Sequence, residues 1–377
     1  CTSTTDDVIL RNDVQPTSVV GADDETCADQ GTYAISGSTS SNGTILWTSS
    51  SAGAFDDNTA ENPTYTISAT DVTNGTVTLT KTVTSAMGIC SPAVDQMVLT
   101  ITPLPDAAAA GSDIDQCNTS TFTMGANVPV NGTGAWSIVG ADPGITITNT
   151  SSATTTVTGL TAGNTVTLRW TISNGSCTST TDDVILRNDV QPTSVVGADD
   201  ETCADQGTYA ISGSTSSNGT ILWTSSSAGA FDDNTAENPT YTISATDVTN
   251  GSVTLIKTVT TAWGICAPAV GSMVLTLDPI PVFTGTPYSK TICSGTALGF
   301  TPTSDVPGST FSWTSSISGN ITGNTASGNG TITDVLVNTG DAVETVTYTI
   351  TVTGPGPNNC VNPATENYVV TVNPTPV

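Results

Sequence analysis

Residues 76–84, TVTLTKTVT, alternate apolar and polar side chains. Val77, Leu79 and Val83 would face one side, and the threonines between them would face the other. This is the pattern of a half-buried β-strand, because successive side chains of a strand point to opposite faces. It recurs in TVTLRWTI (165–172) and VTYTITV (346–352), whereas no stretch has the period of a helix. The sequence therefore predicts an all-β protein.

Cysteines and tryptophans recur around these strands in a fixed order. A tryptophan follows a cysteine by 19 or 20 residues, and a second cysteine follows later, in four sets: Cys27/Trp47/Cys90, Cys117/Trp136/Cys177, Cys203/Trp223/Cys266 and Cys293/Trp313/Cys360. About seven short strands per unit, with a tryptophan on the third, predict tandem immunoglobulin-like (PKD-like) β-sandwich domains. We expect these tryptophans to lie in cores, and Trp263, close to a strand end, to be exposed.

The chain also repeats itself at long range. Residues 1–75 are identical to residues 177–251, and short segments containing proline separate the units. We predict five parts: 1–15, the last strand of a truncated type A domain; 16–104, type B; 105–190, type A; 191–280, type B again; and 281–377, a PKD-like type C domain. Short, stiff linkers favour domains arranged end to end, which at about 40 Å each would span roughly 150 Å.

Net charge and cysteine content limit the classes of binding partner and indicate the compartment in which the protein folds. The 33 Asp and Glu residues against 6 Lys and Arg give a net charge of −27, which disfavours nucleic acid and anionic membrane surfaces. Nine cysteines without a C-x-x-C pair, in a chain without histidine, indicate disulfides in an extracellular, oxidising compartment. No apolar stretch of about 18 residues occurs, so we expect no membrane insertion in this segment. Because no signal peptide is present either, we interpret the chain as a mature segment or as part of a longer protein.

The sequence contains no motif that is typical of an enzyme active site. Without histidine there is no histidine-based triad, and no glycine-rich phosphate loop follows a strand. We therefore predict a protein that is not an enzyme, with no catalytic or cofactor-binding residues.

Two acidic clusters are the candidates for a metal. They are identical copies of each other, and their members are Asp23, Asp24, Glu25 and Asp199, Asp200, Glu201. Calcium prefers six to eight oxygen ligands, which such clusters near domain ends would supply in part. The alternative is a role in turns, where Asp side chains bond the local backbone, and the absence of a D-x-D-x-D-G loop favours it.

The disulfide pattern has two readings. Pairing within each unit gives Cys27–Cys90, Cys117–Cys177, Cys203–Cys266 and Cys293–Cys360. Strand direction argues for bridges between units, because the first strand carries the first cysteine to the far end of its sandwich, while the second cysteine lies at the near end. The favoured bridges are Cys27–Cys177, Cys117–Cys266 and Cys203–Cys360, with partners of Cys1, Cys90 and Cys293 outside the chain.

Several stretches resemble a known group of proteins. NPTYTISATDVTNGTVTLTKTV, NGTGAWSIVG and VTYTITVTG, with the segments around them, are similar to the PKD-like and Ig-like repeats of very large Bacteroidota cell-surface adhesins, including those associated with gliding motility and type IX secretion. The resemblance covers nearly the whole chain and implies a structural stalk or filament that extends an adhesive surface. Its partners would be further copies of the repeat, and surface polysaccharide or a solid substrate. Alternative functions are a carbohydrate-binding array and a spacer for a catalytic domain elsewhere.

Overall fold

The computed structural model describes residues 2–285 and 288–375. The chain divides into two compact units, Cys1–Asp189 and Val190–Val377. Each unit contains two β-sandwiches.

The first sandwich of the first unit comes from the first type B sequence. Its strands are β1 (Thr17–Val19), β2 (Asp24–Cys27), β3 (Thr32–Ala34), β4 (Thr39–Ser41), β5 (Gly43–Ser49), β6 (Ala54–Phe55), β7 (Thr64–Thr66), β8 (Thr76–Ser85) and β9 (Ala93–Thr102). The order β2-β9-β8-β5 forms one sheet, β3-β7-β6 forms the facing sheet, and β1 pairs with β4. The first strand of the larger sheet, β2, runs parallel to the last strand, β9. Val77, Leu79 and Val83 on β8 are fully buried, which confirms the strand predicted from residues 76–84.

The second sandwich of the first unit comes from the type A sequence. Its strands are β10 (Ile114–Cys117), β11 (Thr121–Thr123), β12 (Thr133–Val139), β13 (Thr146–Ile147), β14 (Thr156–Thr158), β15 (Asn164–Ser173) and β16 (Thr180–Asp189). The sheet β10-β16-β15-β12 faces the sheet β11-β14-β13. The first strand, β10, again pairs in parallel with the last, β16. Leu168, Trp170 and Ile172 fill the core, as the alternation in residues 165–172 predicts.

The first sandwich of the second unit repeats the type B architecture. Its strands are β17 (Thr193–Val195), β18 (Asp200–Cys203), β19 (Thr208–Ala210), β20 (Thr215–Ser217), β21 (Thr220–Ser225), β22 (Ala230–Phe231), β23 (Thr240–Thr242), β24 (Ser252–Thr260) and β25 (Ala269–Asp278). The sheets are β18-β25-β24-β21 and β19-β23-β22, and β17 pairs with β20.

The last sandwich has one additional strand in its larger sheet. Its strands are β26 (Ser289–Cys293), β27 (Thr296–Ala297), β28 (Thr310–Ile317), β29 (Ile321–Thr322), β30 (Ser327–Asn329), β31 (Val335–Asn338), β32 (Glu344–Thr353) and β33 (Glu366–Asn373). The sheets are β26-β33-β32-β28-β30 and β27-β31-β29. Val346, Tyr348, Ile350 and Val352 on β32 are buried, as predicted.

Two short helices depart from the expectation that helices are absent. They are α1 (Ala69–Asn74) and α2 (Ala245–Asn250), one in each type B sandwich. In α1, Ser68 and Asp71 form a capping box, and Gly75 ends the helix with a φ of 71°. A six-residue helix is too short to show a helical period, which is why the pattern missed it.

The tryptophan predictions are confirmed. Trp47, Trp136, Trp223 and Trp313 are each at most 6% exposed, whereas Trp263 is 41% exposed. Residues 2–16, which include the predicted last strand of a truncated domain, are assigned to no strand or helix. The chain is thus an all-β protein of tandem sandwiches with their cores between paired sheets.

Candidate functional site

The candidate functional site is the junction between consecutive sandwiches within each unit. In the first unit, Cys27 at the end of β2 is bonded to Cys177 in the turn between β15 and β16, with their Cα atoms 4.9 Å apart. In each sandwich we refer to the turn that carries the second cysteine as the cysteine loop. Cys27 lies opposite Thr102, the last residue of β9, so the bond joins the end of one sandwich to the cysteine loop of the next.

Hydrogen bonds surround this disulfide. The Glu25 carboxylate accepts from the Thr102 hydroxyl at 2.5 Å and from the Ser176 backbone N–H at 2.9 Å. The Asn174 amide donates to the Pro103 carbonyl at 2.8 Å. The bonds from Thr102 and Ser176 lower the pKa of Glu25, because they stabilise its ionised form. The cysteine loop is therefore held by a charge as well as by a covalent bond.

Gly175 makes this close approach feasible. Its φ is +46°, and a Cβ atom there would lie 1.9 Å from Glu25 Oε1. Most other residues would be strained in this left-handed conformation, and a Cβ atom would push the Glu25 carboxylate away from its position in the junction. The Asn-Gly pair at 174–175 thus serves the junction as well as the turn.

The second unit has a corresponding junction. Cys203 at the end of β18 is bonded to Cys360, with their Cα atoms 5.6 Å apart. The Asn358 amide donates to the Asp278 carboxylate at 2.9 Å, and the Asn362 amide donates to the Pro281 carbonyl at 2.8 Å. An asparagine of the cysteine loop thus donates to the end of the preceding sandwich in both units, although the acceptors differ.

These two bonds show that the alternative prediction, in which cysteines pair within each unit, is wrong. Each within-unit pair, namely Cys27–Cys90, Cys117–Cys177, Cys203–Cys266 and Cys293–Cys360, would need a cysteine that is already bonded elsewhere. The physical reason is the parallel pairing of first and last strands, which sets the first cysteine at the end of its sandwich. The bridge Cys117–Cys266 would join the two units and stays a prediction. Cys1 lies outside the described residues.

Two described cysteines are unpaired: Cys293, which is the first cysteine of its sandwich, and Cys90, which is the second cysteine of its sandwich. Cys293 is exposed and lies opposite Asn373 on the last strand, as Cys27 lies opposite Thr102 and Cys203 opposite Asp278. Cys90 is partly buried in the cysteine loop of the first sandwich.

Asp13 accepts hydrogen bonds from Cys90 and its neighbours in the cysteine loop of the first sandwich. Its Oδ2 accepts from the Ser85 hydroxyl at 2.5 Å, from the Ile89 N–H at 3.0 Å and from the Cys90 N–H at 3.3 Å. These hydrogen bonds, chiefly the one from Ser85, lower the pKa of Asp13 to about 2.

A buried lysine was missed by the sequence analysis. Lys81 lies on the apolar face of β8 and is fully buried, and its Nζ donates to Ser38 Oγ at 2.7 Å and pairs with Glu61. Nζ also lies 5.8 Å from the centre of the Trp47 ring. Partial burial opposes ionisation of Glu61, but the bonds from Lys81 and Ser40 outweigh it and lower the pKa of Glu61.

The second type B sandwich repeats this ion pair with Lys257 and Glu237. In the type A sandwich a tryptophan takes the corresponding place, since Trp170 lies opposite Trp136 as Lys81 lies opposite Trp47. The sequence does indicate a buried lysine, because Lys81 interrupts the apolar face of TVTLTKTVT. It does not indicate the counter-charge, because Glu61 lies in a separate loop.

The acidic clusters bond their own surroundings. Asp23 accepts from the Val98 N–H at 2.8 Å, and Asp24 accepts from the Tyr33 hydroxyl at 2.7 Å. Asp199 and Asp200 make the same contacts in the second copy, and Glu201 follows Asp200 on β18. Within residues 2–285 and 288–375, no group of three or more Cys, Asp or Glu side chains is placed to hold a metal ion. Calcium binding stays a prediction.

Comparisons with known proteins agree with the fold. A family model described as a PKD-like domain matches residues 290–376. No curated protein matches the chain. In the described part of the chain, no helix is long and apolar enough to span a membrane. The chain is an all-β protein of tandem β-sandwiches, and its last sandwich is similar to a PKD-like domain.

Among solved structures, three immunoglobulin domains of titin align with 14% identity and a TM-score of 0.42, over 72% of this chain and 99% of theirs. Immunoglobulin domains 1–5 of Sidekick-1 align with 12% identity and a TM-score of 0.36, over 96% of this chain and 80% of theirs. The human Desmocollin-1 ectodomain aligns with 13% identity and a TM-score of 0.29, over 88% and 74%. At these values the likeness carries no inference about function.

Proposed function

We propose that this chain is a structural stalk or filament segment of a large extracellular bacterial adhesin, of the kind associated with gliding motility and type IX secretion. Its role is mechanical, because it extends an adhesive surface away from the cell. Further copies of the same repeat are its partners, and the adhesive contact is with polysaccharide or a solid substrate.

One observation carries the proposal: disulfides join consecutive sandwiches, Cys27 to Cys177 and Cys203 to Cys360. A stalk must transmit tension along the chain. A bond between sandwiches provides a covalent path around the 150 or 157 residues that it encloses, so those residues stay folded when the ends are pulled. A single binding domain has no need of such a path.

The hydrogen bonds at the junctions support the same role. Glu25 and Asp278 each accept from the cysteine loop of the following sandwich, which restricts bending where a flexible linker would permit it. The acidic surface further disfavours association with nucleic acid or anionic lipid.

The proposal is tested by small-angle scattering of the oxidised chain, combined with a glycan array. A stalk gives a rod with a maximum dimension of roughly 150 Å, at about 40 Å per sandwich, and this dimension does not change with ionic strength. A maximum dimension near that of one or two sandwiches would contradict the proposal. Specific binding of the isolated chain to polysaccharide would favour the alternative, a carbohydrate-binding array.

A further inference from the structure

The outer face of the larger sheet in the second type B sandwich carries an apolar cluster. Its members are Leu222 on β21, Ile256 on β24, and Val270 and Val274 on β25. Leu222, Val270 and Val274 are 47%, 62% and 36% exposed, and Ile256 is partly exposed. These residues alternate along their strands with core residues such as Leu255, so they point away from the core. The cluster is therefore presented to solvent.

Ile256 lies at the centre of this cluster. Its direct partners in the sheet are Thr224 on β21 and Ser272 on β25. The other three members of the cluster each lie two positions from one of these partners on the same strand. They are therefore diagonal neighbours of Ile256, about 7–8 Å away. Ile256 thus joins the four apolar side chains into one continuous patch.

The first type B sandwich interrupts the same patch. Leu46, Val94 and Val98 occupy three of the four equivalent positions, but Thr80 occupies the central one, opposite Gln96. The two type B sequences are identical up to residues 75 and 251, so the centre of this face lies in the part where the copies differ. The continuous apolar face is thus a property of the second copy.

The face also lacks charge. No charged side chain points outward from β21, β24 or residues 269–274 of β25, because Lys257 faces the core and is fully buried. Carboxylates begin at the margin, with Asp199, whose Oδ1 accepts from the Val274 N–H at 2.8 Å, and with Glu201 on β18. In a chain of net charge −27, two copies can approach each other here without opposed carboxylates.

The size of the face fits a weak contact between two copies. Nine residues of β24, at about 3.3 Å each, extend over roughly 30 Å, and three strands about 4.8 Å apart cover roughly 14 Å. Two such faces would bury roughly 900 Å² together, which lies in the range of weak, transient interfaces. Where chains with many repeats lie side by side, such contacts act together and strengthen the association.

We propose that the outer face of β21, β24 and β25 is a lateral interface at which two copies of this chain pack face to face, with Ile256 of each copy at its centre. A second copy is the occupant, because an uncharged apolar face of an acidic chain is complementary to the same face of its neighbour. A two-fold axis makes such a contact self-complementary, and the two sheets would pack about 10 Å apart, as sheets do in a sandwich.

This inference deepens the proposed function, in which further copies of the repeat are the partners, by naming the surface that joins them. It is tested on the full oxidised chain carrying Cys1→Ser, Cys90→Ser and Cys293→Ser, so that cysteines without a partner cannot link two copies. Sedimentation equilibrium at chain concentrations up to about 1 mM should show a monomer–dimer equilibrium.

Exchanging residues between the two copies provides matched variants. Ile256→Thr with Ser272→Gln gives the second face the residues of the first, and it should weaken dimerisation about a hundredfold, because each partner loses a buried isoleucine. Thr80→Ile with Gln96→Ser does the reverse, and species larger than a dimer should appear because each chain then has two such faces. Both exchanges introduce residues that the equivalent sandwich already accommodates, and thermal unfolding checks that each variant is folded.

Cross-linking locates the contact. Thr258 lies between Leu222 and Val270 in one cross-strand row of the face. In the same serine background, Thr258→Cys treated with a short bis-maleimide reagent should give a covalent dimer. Thr82→Cys, at the equivalent position of the first type B sandwich, is the control and should remain a monomer.

Three results would overturn the inference. The first is a chain that stays monomeric over the whole concentration range, and the second is a dimer that the Ile256→Thr, Ser272→Gln exchange does not weaken. The third is equal cross-linking of the Thr258→Cys and Thr82→Cys chains. None of these bears on the maximum dimension of the dilute chain or on glycan binding, so the proposed function is tested separately.

Discussion

Reduction of the junction disulfides should release a large and calculable length of chain under tension. The bonds Cys27–Cys177 and Cys203–Cys360 enclose segments of 150 and 157 residues. While both bonds are intact, a force applied at the two ends passes through the sulfur atoms and cannot extend these segments. An extended chain spans about 3.3–3.6 Å per residue, so reduction should add about 1,000 Å of contour length.

The assay is single-molecule force spectroscopy of the full chain with handles at both ends, before and after reductant. In a background in which Cys117 and Cys266 are both replaced by serine, so that no bridge between them can bypass part of the segment, Cys27→Ser combined with Cys177→Ser should add roughly 500 Å under oxidising conditions, because the segment between Cys27 and Cys177 becomes extensible. Cys90→Ser combined with Cys293→Ser is the matched control and should add nothing, since these cysteines are unpaired.

The reasoning would be refuted by an oxidised chain that already extends to its full contour length. It would also fail if the control variant lengthened the chain as much as the junction variant. In the chain-entropy model each bond also stabilises the folded state by about 5 kcal/mol, so reduction should lower the unfolding force as well as lengthen the chain.

Four further predictions concern stability. Gly175→Ala should lower the free energy of unfolding by about 1–2 kcal/mol in thermal or urea unfolding, and more than Gly140→Ala, which shares a positive φ but meets no neighbour within 4 Å. Glu61→Ala should cost about 3–5 kcal/mol in urea unfolding, because it leaves the Lys81 ammonium buried without a counter-charge, whereas Lys81→Met should be nearly neutral; equal losses would contradict this reasoning. The pKa of Asp13 is lower in the folded state than its ordinary value, so its hydrogen bonds stabilise the fold above about pH 4, and this stabilisation is lost as the pH falls through about 2. The free energies of unfolding of wild type and Asp13→Asn should therefore converge at low pH. A difference that stays constant with pH would contradict this reasoning. EDTA should leave the Tm unchanged if the two acidic clusters serve turns, and a Tm that falls with EDTA and recovers with calcium would support the calcium site.

Much of the fold follows from local patterns. The alternation in residues 76–84 predicts β8, and the spacing of Trp47 from Cys27 predicts a core tryptophan, because period-two burial and the length of a strand are local properties. The helix α1 escaped prediction, although Ser68 and Asp71 have the spacing of a capping box, because six residues are too few to show a period.

The candidate site depends on contacts that the patterns do not contain. Glu61 is 20 residues from Lys81 in sequence, and Ser176 is 151 residues from Glu25. The sequence around Lys81 does not indicate that Glu61 is its partner, and the sequence around Glu25 does not indicate Ser176. Strand direction favoured bonds between sandwiches, but a choice between the two disulfide readings required the register of β2 with β9.

The sequence by itself determined the strand faces, the repeat boundaries that we propose and the cysteines available for bonding, because these depend on periodicity and identity within the chain. Only the tertiary structure decided which cysteines are bonded within the two units, why glycine suits position 175 and how a lysine is accommodated in a core. Those outcomes depend on distances of a few ångströms between segments far apart in sequence. A disulfide, a buried ion pair or a close backbone approach exists only at such distances, and the folded arrangement of strands alone sets them.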